Sequence, residues 1–187
     1  MSDSDHQYYE RVRALLEDSY AAADARGDIF GASGSGAKNM AHWEARRRAI
    51  AGAFDRDGTW LDVGCANGLL METLIAWVAE KGHRIEPYGL DLSERIAETA
   101  RRRLPRWAAR IWTGNVMEFE PPMRFDYVTA LADAVPEYRV ADMIRRLARL
   151  FVKRGGRLVL SCYTPGAFLV NRNGAPTQRR ISCARRG

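Results

Sequence analysis

An apolar run, Thr59-Trp60-Leu61, leads into Asp62-Val63-Gly64-Cys65-Ala66-Asn67-Gly68, and an amphipathic stretch from Leu69 to Val78 follows. This order predicts a strand, a tight glycine turn and a helix. Glycine in such a turn leaves no Cβ between the backbone and an approaching ligand. The next apolar run, Tyr88-Gly89-Leu90, ends on Asp91. An acid at the tip of a second strand suits the two hydroxyls of a ribose. Together the two features predict a nucleoside cofactor held on a parallel α/β sheet.

The spacing narrows the choice of nucleoside. A dinucleotide site would read G-x-G-x-x-G, with its acid about 20 residues on. Here Gly64 and Gly68 are separated by Cys65-Ala66-Asn67, and Asp91 follows Gly64 by 27 residues. Position 66 holds Ala, and no Lys-Ser/Thr pair follows to bind phosphate. Asp62 sets a negative charge beside the turn, which repels a pyrophosphate and attracts an ammonium group. A nicotinamide-dependent oxidoreductase is therefore the weaker reading.

Trp60-Leu61-Asp62-Val63-Gly64-Cys65-Ala66-Asn67-Gly68 resembles the first motif of class I S-adenosylmethionine-dependent methyltransferases. Tyr88-Gly89-Leu90-Asp91-Leu92-Ser93 is similar to their second motif, and Thr113-Gly114-Asn115-Val116 stands where their adenine-contacting residues lie. Phe125 to Leu131 resembles their fourth strand, and Gly155-Gly156-Arg157-Leu158-Val159-Leu160 the turn into their fifth. The resemblance runs from Trp60 to Tyr163, with its landmarks in order. More loosely, Gly34-Ser35-Gly36 and the helix after it resemble the N-terminal lid of small bacterial methyltransferases of unassigned substrate.

The resemblance implies a Rossmann-like, doubly wound and mainly parallel sheet, with S-adenosylmethionine as cofactor. The implied cofactor-binding residues are Asp62, Gly64, Cys65, Gly68, Asp91, Leu92, Asn115, Val116 and Leu131. Asp62 is expected to partner the ammonium group, directly or through water, and Asp91 the ribose hydroxyls. Asn115 offers an amide oxygen and an amide N–H to adenine, and Val116 and Leu92 sandwich the ring. Gly64, Asp91, Asn115 and Leu131 fall at strand ends, where open α/β sheets bind their ligands. Each has a plainer reading as well: Asp91 as an acid at a helix N-terminus, Val116 and Leu92 as core, Cys65 as a small buried filler.

The rest of the chain is read from its periodicity and breakers. Helices are expected over residues 5–25, with Tyr8, Val12, Leu15, Leu16 and Tyr20 on one face, and over 39–54. Strands are expected at 59–63, 85–90, 109–113, 125–131 and 157–162. Helices should run over 67–80, from Ser93 to before Pro105, and from Pro136 to about Val152, with Gly155-Gly156 closing the last. Three segments follow: 1–57 with N-terminal helices and a Gly-rich lid, 58–164 as the cofactor-binding core, and 165–187 as a basic tail.

The formal charge is +6, but residues 165–187 hold five arginines and no acid, which leaves +1 for the remainder. The Arg46-Arg47-Arg48 and Arg101-Arg102-Arg103 runs are expected to be solvated helix faces, so no nucleic-acid patch is read here. No apolar run reaches the length of a membrane span. The acidic, polar start is unlike a signal peptide, and the three cysteines have no metal spacing. A cytoplasmic, reduced setting is expected.

The acceptor is expected to be a small molecule. Asp133, Glu137 and Tyr138 follow the fourth strand and are base candidates if it is a hydroxyl; His42 is a distant one, and His83 reads as structural. The Asn/Asp-Pro-Pro-Tyr signature of adenine and glutamine amino-group methyltransferases is absent, the chain reading Leu131-Ala132-Asp133-Ala134. Family members usually add a helix and two strands after the fifth strand, so the last strands are expected to be missing. That keeps open a second reading, a catalytically impaired cofactor-binding protein derived from a longer methyltransferase. The Gly27–Gly36 loop is expected to close over the methionine end of the cofactor, with Ser35 in contact. Thr164-Pro165-Gly166-Ala167 fits a type II turn that folds Ala167–Val170 back onto the fifth strand. Failing that, a homodimer would form through the same edge, and the chain beyond about Asn171 should be loosely held.

Overall fold

The computed structural model describes residues 3–161, together with the backbone of 167–170 and 176–181. The helices are α1 (Asp3–Ala25), α2 (Met40–Arg47), α3 (Leu69–Ala79), α4 (Glu94–Arg103) and α5 (Val140–Arg146). The strands are β1 (Gly58–Val63), β2 (Ile85–Asp91), β3 (Ile111–Thr113), β4 (Phe125–Leu131), β5 (Val152–Ser161), β6 (Ala167–Val170) and β7 (Pro176–Ile181). They form one sheet in the order β3-β2-β1-β4-β5-β6-β7. β1 to β5 pair in parallel, and the order reverses between β1 and β4, where such sheets bind ligands.

Alternation along the strands divides the core into two layers. Trp60, Tyr127 and Val159 face α2, α3 and α4, where Trp43, Leu74, Trp77 and Ala100 pack on them. Leu61, Val128, Leu158 and Leu160 face the other way, onto Met143, Leu147 and Tyr9. Trp60, Leu61, Tyr127 and Val128 are fully buried, each removing an apolar side chain worth about 1.5–3 kcal/mol from water.

Several boundaries differ from the sequence reading. The helix expected over 39–54 stops at Arg47 and tightens to a 3-10 turn, Arg48–Ala53. The turn is held at its end by Lys81, whose ammonium donates to the carbonyls of Ala51 (2.8 Å) and Phe54 (2.5 Å). After Pro136 the chain makes a 3-10 turn, then α5, then a wide turn, Leu147–Phe151, that runs straight into β5. Gly155-Gly156 therefore lies inside β5 and does not close a helix. It sits in a bulge where the register passes from Phe125↔Val152 to Tyr127↔Arg157. Leu15, placed on the apolar face of α1, is 70% exposed.

β6 pairs antiparallel with β5, from Leu158↔Val170 to Ser161↔Ala167. The edge that would seat a second copy is thus taken from within the chain. β7 extends the sheet beyond Asn171, where loosely held chain was expected. Among the described residues the sheet has seven strands, the last two arriving as short antiparallel additions. The Pro165-Gly166 turn, Cys162 and Cys183 lie outside the described residues.

The arginine runs are only partly solvated: Arg46, Arg48 and Arg102 stay exposed, while Arg47, Arg101 and Arg103 are half-buried, and most of the six make specific contacts. Arg101 donates to the carbonyl of Ile111 and to Glu94 and Glu98; Arg102 reaches Asp24 of α1; Arg103 bonds the carbonyl of Asn67 and Glu72. Arg46 donates to the Ser35 carbonyl, and Arg48 pairs with Glu80 and Glu44. Periodicity could show the pairs within one helix, Arg101 with Glu98 and Arg48 with Glu44, but not the partners that come from other elements, the Ile111, Asn67 and Ser35 carbonyls, Asp24, Glu72 and Glu80.

Gly68 starts α3 in the left-handed region (φ 77°), and an added Cβ would lie 2.6 Å from the buried Leu104 Cδ1. Gly68→Ala is expected to cost about 2 kcal/mol, combining left-handed strain with overpacking. Urea denaturation checks it; a loss below about 0.5 kcal/mol would remove the packing role assigned to this glycine.

Candidate functional site

A cleft with two lobes opens at the carboxyl ends of the parallel strands. The larger lobe encloses about 970 Å³ including solvent at its mouth. Gly64 after β1, Asp91 and Leu92 after β2, Asn115 and Val116 after β3, and Leu131 of β4 line it. The smaller lobe is narrow and is bounded by Asp62, Cys65, Thr129, Leu131, Trp43 and Arg47. Gly64, Ala66, Leu131 and Ser33 border both, so the lobes meet at the glycine turn.

That turn is built by backbone bonds to β2. The Gly64 and Cys65 N–H groups donate to the Leu90 carbonyl at 2.7 and 3.2 Å. Gly64 has φ 80°, and a Cβ there would meet nothing within 4 Å because it would point into the cleft. Ala66 has φ 48°, a strained conformation for a residue with a Cβ. It is held by Asp91, whose Oδ2 accepts the Ala66 N–H at 2.9 Å while Oδ1 accepts that of Ser93 at 3.0 Å. Desolvation pushes the Asp91 carboxyl up to about 6, against the lowering effect of these amide bonds.

Asp62 is buried below the smaller lobe, and its Oδ1 accepts the Thr129 hydroxyl at 2.7 Å. Burial raises it to about 7; the Thr129 bond and the positive charge of Arg47 work in the opposite direction. Cys65 turns its side chain inward over Gly89 and Met71, and burial holds its thiol well above the ordinary value. It is neutral filler with only its backbone at the turn.

Seven of the nine residues picked from sequence therefore surround the cleft with backbone or side chain exposed to it, and Cys65 does so through its backbone. Gly68 borders neither lobe; it packs against α4. Asn115 lies on the larger lobe, with its Oδ1 already accepting the Met117 N–H at 2.9 Å. Of the three base candidates after β4, Asp133 lines the cleft. The Tyr138 hydroxyl instead donates to Asp5 at 2.8 Å. In the Gly-rich loop Ser33, not Ser35, borders both lobes. Ser35 is buried and its oxygen accepts the Ala37 N–H at 3.1 Å.

Sequence reasoning missed three contributors. Tyr8, Tyr9, Val12, Leu16 and Tyr20 of α1 wall the larger lobe; the helix face was visible, but not what it covered. Tyr9 is buried, and desolvation together with the charge of Asp5 pushes its hydroxyl up to about 12. Arg47 faces the smaller lobe, with its Nε buried and unbonded, although its neighbours in the arginine run have partners elsewhere. Thr129, in the middle of an apolar strand, carried no motif signal. Among the described residues no cluster of three His, Cys, Asp or Glu could hold a metal, and no helix is long and apolar enough to cross a membrane.

Comparison with known proteins agrees with this geometry. A family model described as a methyltransferase domain matches residues 61–156. A curated relative, ubiquinone biosynthesis O-methyltransferase of Pseudomonas paraeruginosa, is 35% identical over 136 residues, which is 68% of this chain and 53% of the relative. The chain thus spans about half the length of the curated relative it matches. The solved structure of Streptomyces venezuelae DesVI superposes with a TM-score of 0.50 at 22% identity, over 63% of this chain and 50% of that one. Bacillus subtilis YcgJ does so with a TM-score of 0.50 at 21% identity, over 64% and 50%. Nothing in these matches supports a catalytically impaired derivative.

The two buried carboxylates of the cleft, Asp62 and Asp91, make a prediction about stability. Between about pH 4 and 7 the folded protein keeps a proton on Asp62 that the unfolded chain has released. Stability from this group is therefore present at the acid end and lost as pH rises through 7; Asp91, raised to about 6, acts with the same sign. Asp62→Asn removes the larger contribution. Its stability relative to the wild type should grow by about 1–2 kcal/mol between pH 5 and 7.5 in urea denaturation. A flat difference would contradict the burial of an ionisable group here.

Proposed function

Because this chain belongs to the class I S-adenosylmethionine-dependent methyltransferases, we propose that it binds S-adenosylmethionine across the two lobes and transfers its methyl group to a small-molecule acceptor. The observation that carries this reading is the division of charge along the cleft. Asp62 and Arg47, of opposite sign, line the smaller lobe, as the ammonium and carboxylate of an amino acid require. The larger lobe sets Asp91 beside apolar Leu92 and Val116, as a ribose and a purine require.

When bound, the cofactor supplies a methyl group on a sulfonium, already activated for in-line displacement. The residues of this chain then hold, align and exclude water. Asp62 takes the ammonium group and Arg47 the carboxylate. Gly64, Cys65 and Ala66 offer bare backbone where the lobes meet. Asp91 has spare lone pairs for the ribose hydroxyls beside those used by Ala66 and Ser93. Asn115 would face the adenine edge, and Leu131 borders both lobes where they meet.

An oxygen acceptor is the finer reading. It draws on the relative named as an O-methyltransferase, and on Asp133, a carboxylate on the cleft able to receive a hydroxyl proton. The N-terminal segment 1–57 would act as a cover, and 58–164 as the cofactor-binding unit.

S-adenosylhomocysteine should bind and raise the melting temperature. Asp91→Ala and Arg47→Met should each weaken it by about 1.5–3 kcal/mol in calorimetry, the scale for losing hydrogen bonds to a charged group. Binding of NADH without binding of S-adenosylhomocysteine would overturn the reading. A hydroxyl-acceptor screen that follows S-adenosylhomocysteine release then tests the transfer itself.

A further inference from the structure

Thr129 stands in the middle of a short chain of hydrogen bonds beneath the smaller lobe. It pairs in register with Asp62 on the adjacent strand, so the two side chains leave the sheet on one side. Trp60, two residues before Asp62, shares that face, and its indole N–H donates to Thr129 Oγ1 at 2.9 Å. An indole N–H can only donate. The threonine oxygen must therefore accept from Trp60, and its one proton goes elsewhere. Two acceptors are in reach, Asp62 Oδ1 at 2.7 Å and the Leu61 carbonyl at 3.5 Å. The first has the length of a good O–H···O bond and the second lies at the limit. The proton belongs on the bond to Asp62.

This is the one hydrogen bond to the Asp62 carboxylate among the described residues. On its other side the register partner is Gly89, which brings no side-chain donor. Oδ2 is left without a protein partner, on a residue that lines the smaller lobe.

We propose that Thr129, oriented by Trp60, is the positioning residue for Asp62: it fixes Oδ1 as an acceptor and presents Oδ2, ionised, to the ammonium group of an amino-acid moiety. The proposal rests on the reading that S-adenosylmethionine occupies this cleft. The charged and titratable groups facing Asp62 are Arg47 from α2, Asp91 from the end of β2 and the Cys65 thiol from the turn. Arg47 favours the ionised carboxylate and Asp91 opposes it, but neither is hydrogen-bonded to it. β4 and β5 contribute Thr129, Val159 and Ser161, none of them charged. A protonated Asp62 carries its proton on Oδ2, the oxygen the ligand needs, or else forces the Thr129 proton toward the distant Leu61 carbonyl. Ligands with an ammonium group therefore lose affinity as pH falls through about 7, and ligands without one do not.

The test compares S-adenosylhomocysteine with 5′-methylthioadenosine, which keeps the adenosine and lacks the amino acid. Both are titrated by calorimetry into the wild type, Thr129→Val and Thr129→Ser, from about pH 5.5 to 8.5. Thr129→Val should weaken S-adenosylhomocysteine about tenfold at pH 7.5, leave 5′-methylthioadenosine within about twofold and move the pH midpoint of the former upward. Thr129→Ser should restore affinity and midpoint together. Retained 5′-methylthioadenosine binding also reports that the valine variant keeps its site folded. Equal losses for both ligands, or unchanged S-adenosylhomocysteine affinity with an unshifted midpoint, would overturn the proposal. A wild type that binds neither nucleoside overturns the functional reading first, before any substitution is made, and the proposal with it.

Discussion

The bond from the Ala66 N–H to the Asp91 carboxylate is the constraint around which the cleft is arranged. It joins the turn after β1 to the tip of β2, and through Ser93 to the start of α4. Ala66 is held in the left-handed region, which for a residue with a Cβ costs roughly 1–2 kcal/mol. Asp91 itself is buried with its carboxyl raised to about 6, so the clamp is maintained against desolvation as well as strain. Such strain persists only where surrounding bonds over-determine the geometry. The result is a glycine turn already open to a ligand, with Gly64 facing free space.

The arginines extend that order outward. Arg103 ties α4 to the Asn67 carbonyl and Arg102 ties it to α1, while the Ser93 hydroxyl that caps α4 also donates to Glu17 of α1 at 2.6 Å. The Asn67 amide donates to the Ile29 carbonyl at 2.8 Å and fixes the loop after α1. α1 is thereby laid along the larger lobe, anchored near its start through Asp5 and Tyr138. Surface ion pairs of this kind contribute little singly. Their effect is geometric: they decide which helix face meets the cleft.

Arg47 is the exception within its run. Its charge has no hydrogen-bonded partner at Nε and lies across the small lobe from a carboxylate that burial has pushed towards neutrality. A half-buried cation and a buried carboxylate on one lobe form a site that gains most from a zwitterion bridging them, because the ligand's ammonium favours the ionised carboxylate.

The sequence by itself determined the elements and the line of the cleft. Glycine at 64, acids at 62 and 91 and the alternation of apolar runs are local facts. They follow from steric freedom and periodicity, and they put strand ends, turn and ribose-side acid in the right order. What only the tertiary structure decided was everything set by a partner distant in sequence. Gly68 reads like Gly64 in the turn, but Leu104 makes it a packing position. Arg47 reads like Arg46 and Arg48, yet it alone of the three turns to the cleft. Thr129 is a β-branched residue in an apolar strand until register sets it between Trp60 and Asp62. A side chain's role there depends on which groups are brought within hydrogen-bond range, and that distance is fixed by the packed sheet, not by neighbours along the chain.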